Sequence, residues 1–110
     1  MRYSVRITAA AERDIINASD YIDLTLKNPK AADDLLDAVE DKIVELSNFP
    51  EKYKLVEDTV LASWGIRCVT VKNYLVFYII SETQETIYVV RFLYQKSDWV
   101  VLLRSGISLF

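Results

Sequence analysis

Two arginines, a tyrosine and a lysine, Arg67, Arg91, Tyr94 and Lys96, are the side chains of this sequence best placed to do chemistry. Arginine stays charged at any physiological pH, and its planar fork can grip two oxygens of an anionic group. A phenol close to such cations can take part in proton transfer. All four fall between Trp64 and Trp99, a stretch with three runs rich in Val, Ile, Tyr and Phe: GIRCVTV, YLVFYII and TIYVVRFLY. The Lys72-Asn73 break and the polar SETQE segment separate them, the pattern of a meander of antiparallel strands. Arg67 lies near the start of the first run and Arg91 and Tyr94 near the end of the third, so the meander is expected to bring them close.

The segment before the meander supplies the elements that hold such a site. Tyr3-Ser4-Val5-Arg6-Ile7 alternates apolar with polar and reads as a first strand. Thr8 follows as a helix cap, with Glu12 and Asp14 where the helix dipole favours negative charge. Ile15, Ala18, Ile22 and Leu26 recur at three- and four-residue steps and define a buried stripe on a helix ending near Asn28. Asn28-Pro29 caps and restarts the chain as a second helix, whose apolar face runs from Ala32 through Leu35, Leu36, Val39, Ile43 and Leu46 to Phe49-Pro50. Neither stripe is stable uncovered, and the sheet is the apolar surface left to cover it. The expected fold class is therefore α+β, a helical hairpin packed on one face of an antiparallel sheet. The order is β-α-α-β-β-β, followed by a short helical turn from about Ser97 to Leu103, begun by Ser97 or Asp98. The place of the first strand, central or at an edge, is left open by the pattern.

Composition narrows what a site could hold. A chain of 110 residues with two glycines, two prolines, and neither repeat nor linker is expected to form a single domain over residues 1–110. With no histidine and one cysteine, Cys68, no disulfide, metal or other cofactor is expected, and Cys68 reads as a small core residue. No apolar run approaches membrane-spanning length and the N-terminus lacks a signal-peptide pattern, so a cytoplasmic protein without membrane contact is expected. The net charge of −3 argues mildly against a surface that embraces nucleic acid. It hides an asymmetry: residues 1–58 hold eight Lys/Arg and thirteen Asp/Glu, whereas residues 59–110 hold five and three. An anionic ligand would go to the sheet half.

Several motifs, taken in order, resemble one family. These are Asn28-Pro29-Lys30-Ala31-Ala32, Phe49-Pro50, Gly65-Ile66-Arg67, the run NYLVFY from Asn73 to Tyr78, and VRFLYQKSDW from Val90 to Trp99. Together with the β-α-α-β-β-β order, they are similar to the RelE/ParE superfamily of toxins from type II toxin–antitoxin modules. The resemblance implies a small growth-inhibiting bacterial protein held inactive in a hetero-oligomer with a cognate antitoxin. Two activities occur there. RelE-like members are endoribonucleases that cut mRNA at the ribosome; ParE-like members bind DNA gyrase and poison it without a comparable hydrolytic site. A degenerate toxin that only binds antitoxin is a third possibility.

Metal-free RNA cleavage needs a group to take the 2′-OH proton, a cation on the phosphate and an acid for the leaving oxygen. On the RelE reading, which leads slightly, Arg67 and Arg91 are the cations, Tyr94 the proton-transfer group, and Lys96 and Glu57 weaker catalytic candidates. Tyr94 stands where many family members carry histidine, and a phenol with a pKa near 10 is a poor base at neutral pH. The acidic balance and the missing histidine favour the gyrase alternative. Each residue also has a plainer role. Arg67 can pair with an acidic cross-strand neighbour, and Arg91, alternating with Val89 and Leu93, can face the helices and neutralise a buried carboxylate. Tyr94 and Tyr88 can share a packed stripe with Val90 and Phe92, Trp99 can anchor the C-terminal turn, Asp98 can cap it, and Asn73 can serve the turn. Leu109 and Phe110 end the chain with apolar side chains and are candidates to meet a partner.

Overall fold

Thr8 decides how the chain leaves its first strand. The computed structural model describes residues 2–107. Strand β1, Ser4–Ile7, ends at Thr8, whose hydroxyl accepts the Ala11 N–H at 3.2 Å and donates to the Val90 carbonyl at 3.2 Å. One buried side chain thus caps helix α1, Ala9–Asp20, and ties it to the sheet. Ile15 and Ala18 are buried as the stripe requires. At Tyr21 the helix widens into a single π-type turn, Tyr21–Thr25, closed by Leu26 N–H to Tyr21 O at 3.0 Å. The extra residue in that turn rotates the stripe out of phase. Ile22 is consequently half-buried and Leu26 is 56% exposed, so the stripe read from the sequence ends one turn early.

Asn28 caps helix α2, Pro29–Asn48, by accepting the Ala31 N–H at 3.1 Å, with proline at the first helical position. A loop then leads to a short helix the sequence pattern did not reveal, α3, Thr59–Ser63, capped by Asp58. The meander follows as β2 (Arg67–Val71), β3 (Tyr74–Ser81) and β4 (Thr86–Tyr94). Helix α4, Trp99–Arg104, closes the described chain. Asp98 stands at its cap position but accepts no capping hydrogen bond, and the buried Ser97 hydroxyl has no partner among the described residues. Leu109 and Phe110 lie outside the described residues.

The strand order is β1-β4-β3-β2. The meander is antiparallel as expected, and β1 joins it at the edge in parallel with β4, from Ser4 opposite Thr86 to Ile7 opposite Val89. The sheet is therefore mixed. β1 pairs parallel with β4, and β4 and β2 each pair antiparallel with β3, so β1, β2 and β4 all point the same way. The α1–α2 hairpin covers one face, over Val69, Val76, Tyr78, Ile87, Val89 and Phe92. The opposite face is covered too: α3 and α4 bury Phe77, Val90 and Leu93 beneath Leu61, Ile66 and Leu103. Trp99 anchors α4 there, its ring 5.2 Å from that of Phe77, and Arg104 reaches back to Asp58 at 2.6 Å.

A bulge organises the junction of these layers. Phe77 lies opposite Arg91 but its neighbour Tyr78 lies opposite Val89, leaving Val90 as an extra residue on β4. After the bulge the alternation of faces is inverted. Phe92 belongs to the hairpin face with Val89, whereas Val90 and Leu93 belong to the opposite one. The stripe proposed from strict alternation, Tyr88 with Val90, Phe92 and Tyr94, is thereby split between two faces. Asp14 of α1 seats itself at this irregularity. Its carboxylate accepts Arg91 Nε at 2.6 Å, Arg91 Nη2 at 3.0 Å and the backbone N–H of Phe92 at 3.0 Å. The Asp14 hydrogen bonds, partly opposed by burial, raise the Arg91 guanidinium further above its ordinary pKa.

Removing this carboxylate strands a partly buried guanidinium and a backbone donor. Asp14→Ala is expected to cost about 2–3 kcal/mol in urea denaturation, and Asp14→Asn less because its amide oxygen still accepts the Phe92 N–H. A loss below about 0.5 kcal/mol for the alanine variant, the range of an ordinary surface change, would show that the clamp is dispensable.

Candidate functional site

The meander's own geometry separates the residues that sequence spacing had placed together. In an antiparallel meander the first and third strands run in the same direction, so the start of β2 lies beside the start of β4, not its end. Arg67 is opposite Tyr78, and Tyr94 is opposite Tyr74, four residues further along β3. At about 3.3 Å per residue and about 4.8 Å per strand, Arg67 and Tyr94 are roughly 16 Å apart in the sheet. Arg91 is committed to Asp14. Lys96 is exposed in the turn after β4, and Glu57 is exposed just before the Asp58 cap. The four candidate side chains do not form one constellation.

Arg67 sits instead at the C-terminal end of α2. It donates from Nη1 to the Tyr53 carbonyl at 2.6 Å, so its partner is backbone rather than a cross-strand acid. Around Tyr53 a compact network forms: its hydroxyl donates to Glu45, accepts Lys42 Nζ at 3.1 Å, and Lys52 reaches Glu45 at 3.3 Å. The Tyr53 hydroxyl, ahead of the two lysines, holds the Glu45 carboxyl below its usual range, and the same hydroxyl is the largest cause of a raised Lys42. Next to Arg67 the fully buried Tyr78 donates to the Pro50 carbonyl at 2.9 Å and so pins the α2–α3 loop to the sheet. Burial pushes the Tyr78 phenol up to about 12, with Arg67 pulling weakly the other way. The thiol of Cys68 is likewise pushed up to about 11 by burial, so it is an inert core group.

Tyr94 occupies the far end of the sheet, in a groove of about 610 Å³ under the tip of the hairpin. The groove is lined by Tyr21, Ile22, Leu26 and Ala31 from the hairpin and by Asn73, Tyr74 and Tyr94 from the sheet, with Asn28 between the helices. Among the described residues its lining holds no cation. Tyr74 stacks on Phe92 with centroids 4.9 Å apart and meets Tyr94 edge-on at 5.7 Å. Burial, then Tyr21 and Tyr94, raise the pKa of Tyr74, the wrong direction for a base at neutral pH. Tyr21 and Tyr74 were not singled out by sequence reasoning. They are 53 positions apart in the chain and line one groove because the hairpin tip lies over the start of β3. No spacing rule could have paired them; the available signal was a tyrosine directly after the turn-forming Asn73.

Two long helices over one face of a four-stranded mixed sheet, with two short helices closing the other, are what these observations define. The family model for the ParE toxin of the type II toxin–antitoxin system parDE matches residues 5–99, and the chain belongs to that family. Among the solved structures that share the fold are two toxin–antitoxin systems. One is the toxin–antitoxin complex RelBE2 from Mycobacterium tuberculosis, 23% identical with a TM-score of 0.62, covering 86% of this chain and 99% of that one. The other is the chromosomal ParDE system from P. aeruginosa, 16% identical with a TM-score of 0.64, covering 84% and 96%. Among curated proteins none matches the chain significantly by sequence.

Tyr78 provides a test of the Arg67 end. A phenol whose pKa is raised from 10.0 to about 12 in the fold contributes its full stabilisation below pH 10 and loses it as pH rises through 12. Stability is expected to fall by about 2–3 kcal/mol over that alkaline window. Tyr78→Phe should flatten the alkaline loss while costing about 1–2 kcal/mol at neutral pH, because the Pro50 carbonyl loses its donor. Denaturation curves for both proteins from pH 8 to 12 check it; an unchanged alkaline slope in the phenylalanine variant would refute it.

Proposed function

We propose that this toxin acts by binding a protein target, as a ParE-type inhibitor of DNA gyrase, and not by cutting mRNA. The observation that carries the reading is the commitment of Arg91 to Asp14, 2.6 Å away, with Arg67 bonded to backbone about 16 Å from Tyr94. A phosphate brought to Tyr94 meets no preorganised arginine, and the phenol opposite Arg67, Tyr78, is fully buried with its hydroxyl donated to the Pro50 carbonyl. Electrostatic stabilisation of a phosphorane needs the cation and the proton-transfer group within contact of one oxygen cluster. Exposed apolar side chains at the hairpin, Leu24 at 69% and Leu36 at 41% among them, are the kind of surface a protein partner covers. A cognate antitoxin holding the toxin in a cytoplasmic hetero-oligomer completes the proposal, by likeness to the RelBE2 and ParDE systems. Among the described residues no helix is long and apolar enough to cross a membrane.

Induced expression without antitoxin is expected to arrest growth with reporter mRNA intact by primer extension. Purified toxin is expected to abolish supercoiling by gyrase, with Arg67→Ala retaining the effect. Cuts within codons that vanish in Arg67→Ala and Tyr94→Phe would overturn the proposal and restore ribosome-dependent cleavage.

A further inference from the structure

The sheet face under α3 and α4 keeps one apolar hollow open. It is lined by Trp64 at the end of α3, Ile66 just before β2, Ile79 of β3 and Ile107 after α4, around a volume of about 390 Å³. Ile66 is fully buried, and Ile79 and Ile107 are half-buried, but Trp64 is 46% exposed. Among the described residues no charged side chain lines the hollow.

The chain leaving α4 is steered toward this hollow. The Ser105 N–H donates to the Val101 carbonyl at 3.1 Å and the Gly106 N–H to the Leu103 carbonyl at 3.2 Å, which finishes the helix. Gly106 then takes φ +138°, a conformation that residues with a side chain rarely adopt. A Cβ at Gly106 would meet nothing within 4 Å, so backbone direction and not lack of space calls for glycine. Ile107, the next residue, packs against the buried cluster that contains Ile66, Phe77 and Leu103. Ser108, Leu109 and Phe110 follow it in the sequence, outside the described residues. Three residues span at most about 10 Å, so all of them stay within reach of the hollow that Ile107 lines. In extended chain alternate side chains share a side, which groups Leu109 with Ile107 and turns Ser108 away. The segment from Ser105 to Phe110 has no charged side chain, in keeping with the uncharged lining.

We propose that the occupant of this hollow is the chain's own segment Leu109-Phe110, which seats against Trp64 and Ile79 as a strap fastening the α3–α4 layer to the sheet. Such a strap holds α4 at both ends, by the Trp99 ring on Phe77 before its first turn closes and by the apolar segment beyond Gly106. A tethered segment meets its site at an effective concentration in the mM range, so an outside protein has to displace the strap to reach this face. The inference is independent of the target of the toxin, because it concerns the sheet face away from the hairpin.

The test is a nuclear Overhauser measurement on the isotope-labelled full chain, joined to amide hydrogen exchange on wild type and Leu109→Ser/Phe110→Ser. Expected in wild type are contacts from the Phe110 ring and the Leu109 methyls to the Trp64 indole and the Ile79 methyls. In the double variant the Trp64 indole resonance shifts more than that of Trp99, and amides of α3 and α4 exchange about tenfold faster than in wild type. Absence of the wild-type contacts, or exchange in α3 and α4 unchanged by the double substitution, would overturn the proposal. So would contacts found only between labelled and unlabelled molecules in a mixed sample, which would give the hollow to a second copy of the chain. The wild-type contacts are read without any substitution, so a variant that fails to fold leaves the test intact.

Discussion

The carboxylate of Asp14, seated on the bulge of β4, is the contact on which the arrangement of layers depends. It accepts three hydrogen bonds from two consecutive residues, Arg91 and Phe92, and so fixes α1 against the strand where strand parity changes. Without an acceptor there, the bulge would leave a backbone N–H unsatisfied and a guanidinium partly buried without a counterion. With it, the extra residue Val90 turns to the α3–α4 face, and Phe92 turns to the hairpin face beside Tyr74. Both cores are therefore filled from one strand. Thr8, which bonds the Val90 carbonyl, supports the same irregularity from the other end of the α1 cap.

The clamp also shapes what chemistry the molecule can perform. An arginine that is bidentate to a carboxylate is a structural cation, because withdrawing it to meet a phosphate would abandon the pair at a cost of several kcal/mol. The positive charge of the sheet half is thus largely committed: Arg91 to Asp14, Arg104 to Asp58, and Arg67 to a backbone carbonyl. What stays uncommitted is lysine at the hairpin end, next to tyrosine rings. That distribution suits recognition of a surface better than stabilisation of a transition state, since lysine on a flexible stem is poorly preorganised.

Both faces of the sheet being covered has its own consequence. A hairpin on one face would leave Phe77, Val90 and Leu93 in water, so the short helices α3 and α4 are as necessary to the fold as the long ones. Burial of Leu61 and Leu103 docks these helices of five and six residues, well below the length at which a helix is stable alone, and the Asp58–Arg104 pair links the two. Arg104 and the Leu61 N–H hold the Asp58 carboxyl below its usual range, so the charge that caps α3 is maintained.

Local pattern was enough to place β1, the two long helices, the meander and the C-terminal turn, because each rests on periodicity, capping residues or turn residues within a few positions. Thr8, Asn28-Pro29 and the Lys72-Asn73 break act through contacts three or four residues away, and such signals survive in one dimension. The ordered motifs likewise carried the toxin family. What lay beyond reach depended on residues far apart. The partner of Arg91 is 77 positions away, the bulge that inverts the faces of β4 exists only against β3, and the π turn that exposes Leu26 has no periodic signature. Arg67 and Tyr94 seemed adjacent because strand ends were counted along the chain. Only the tertiary structure, in which β2 and β4 run the same way, could put them at opposite ends of the sheet and bring Tyr21, Tyr74 and Tyr94 together instead.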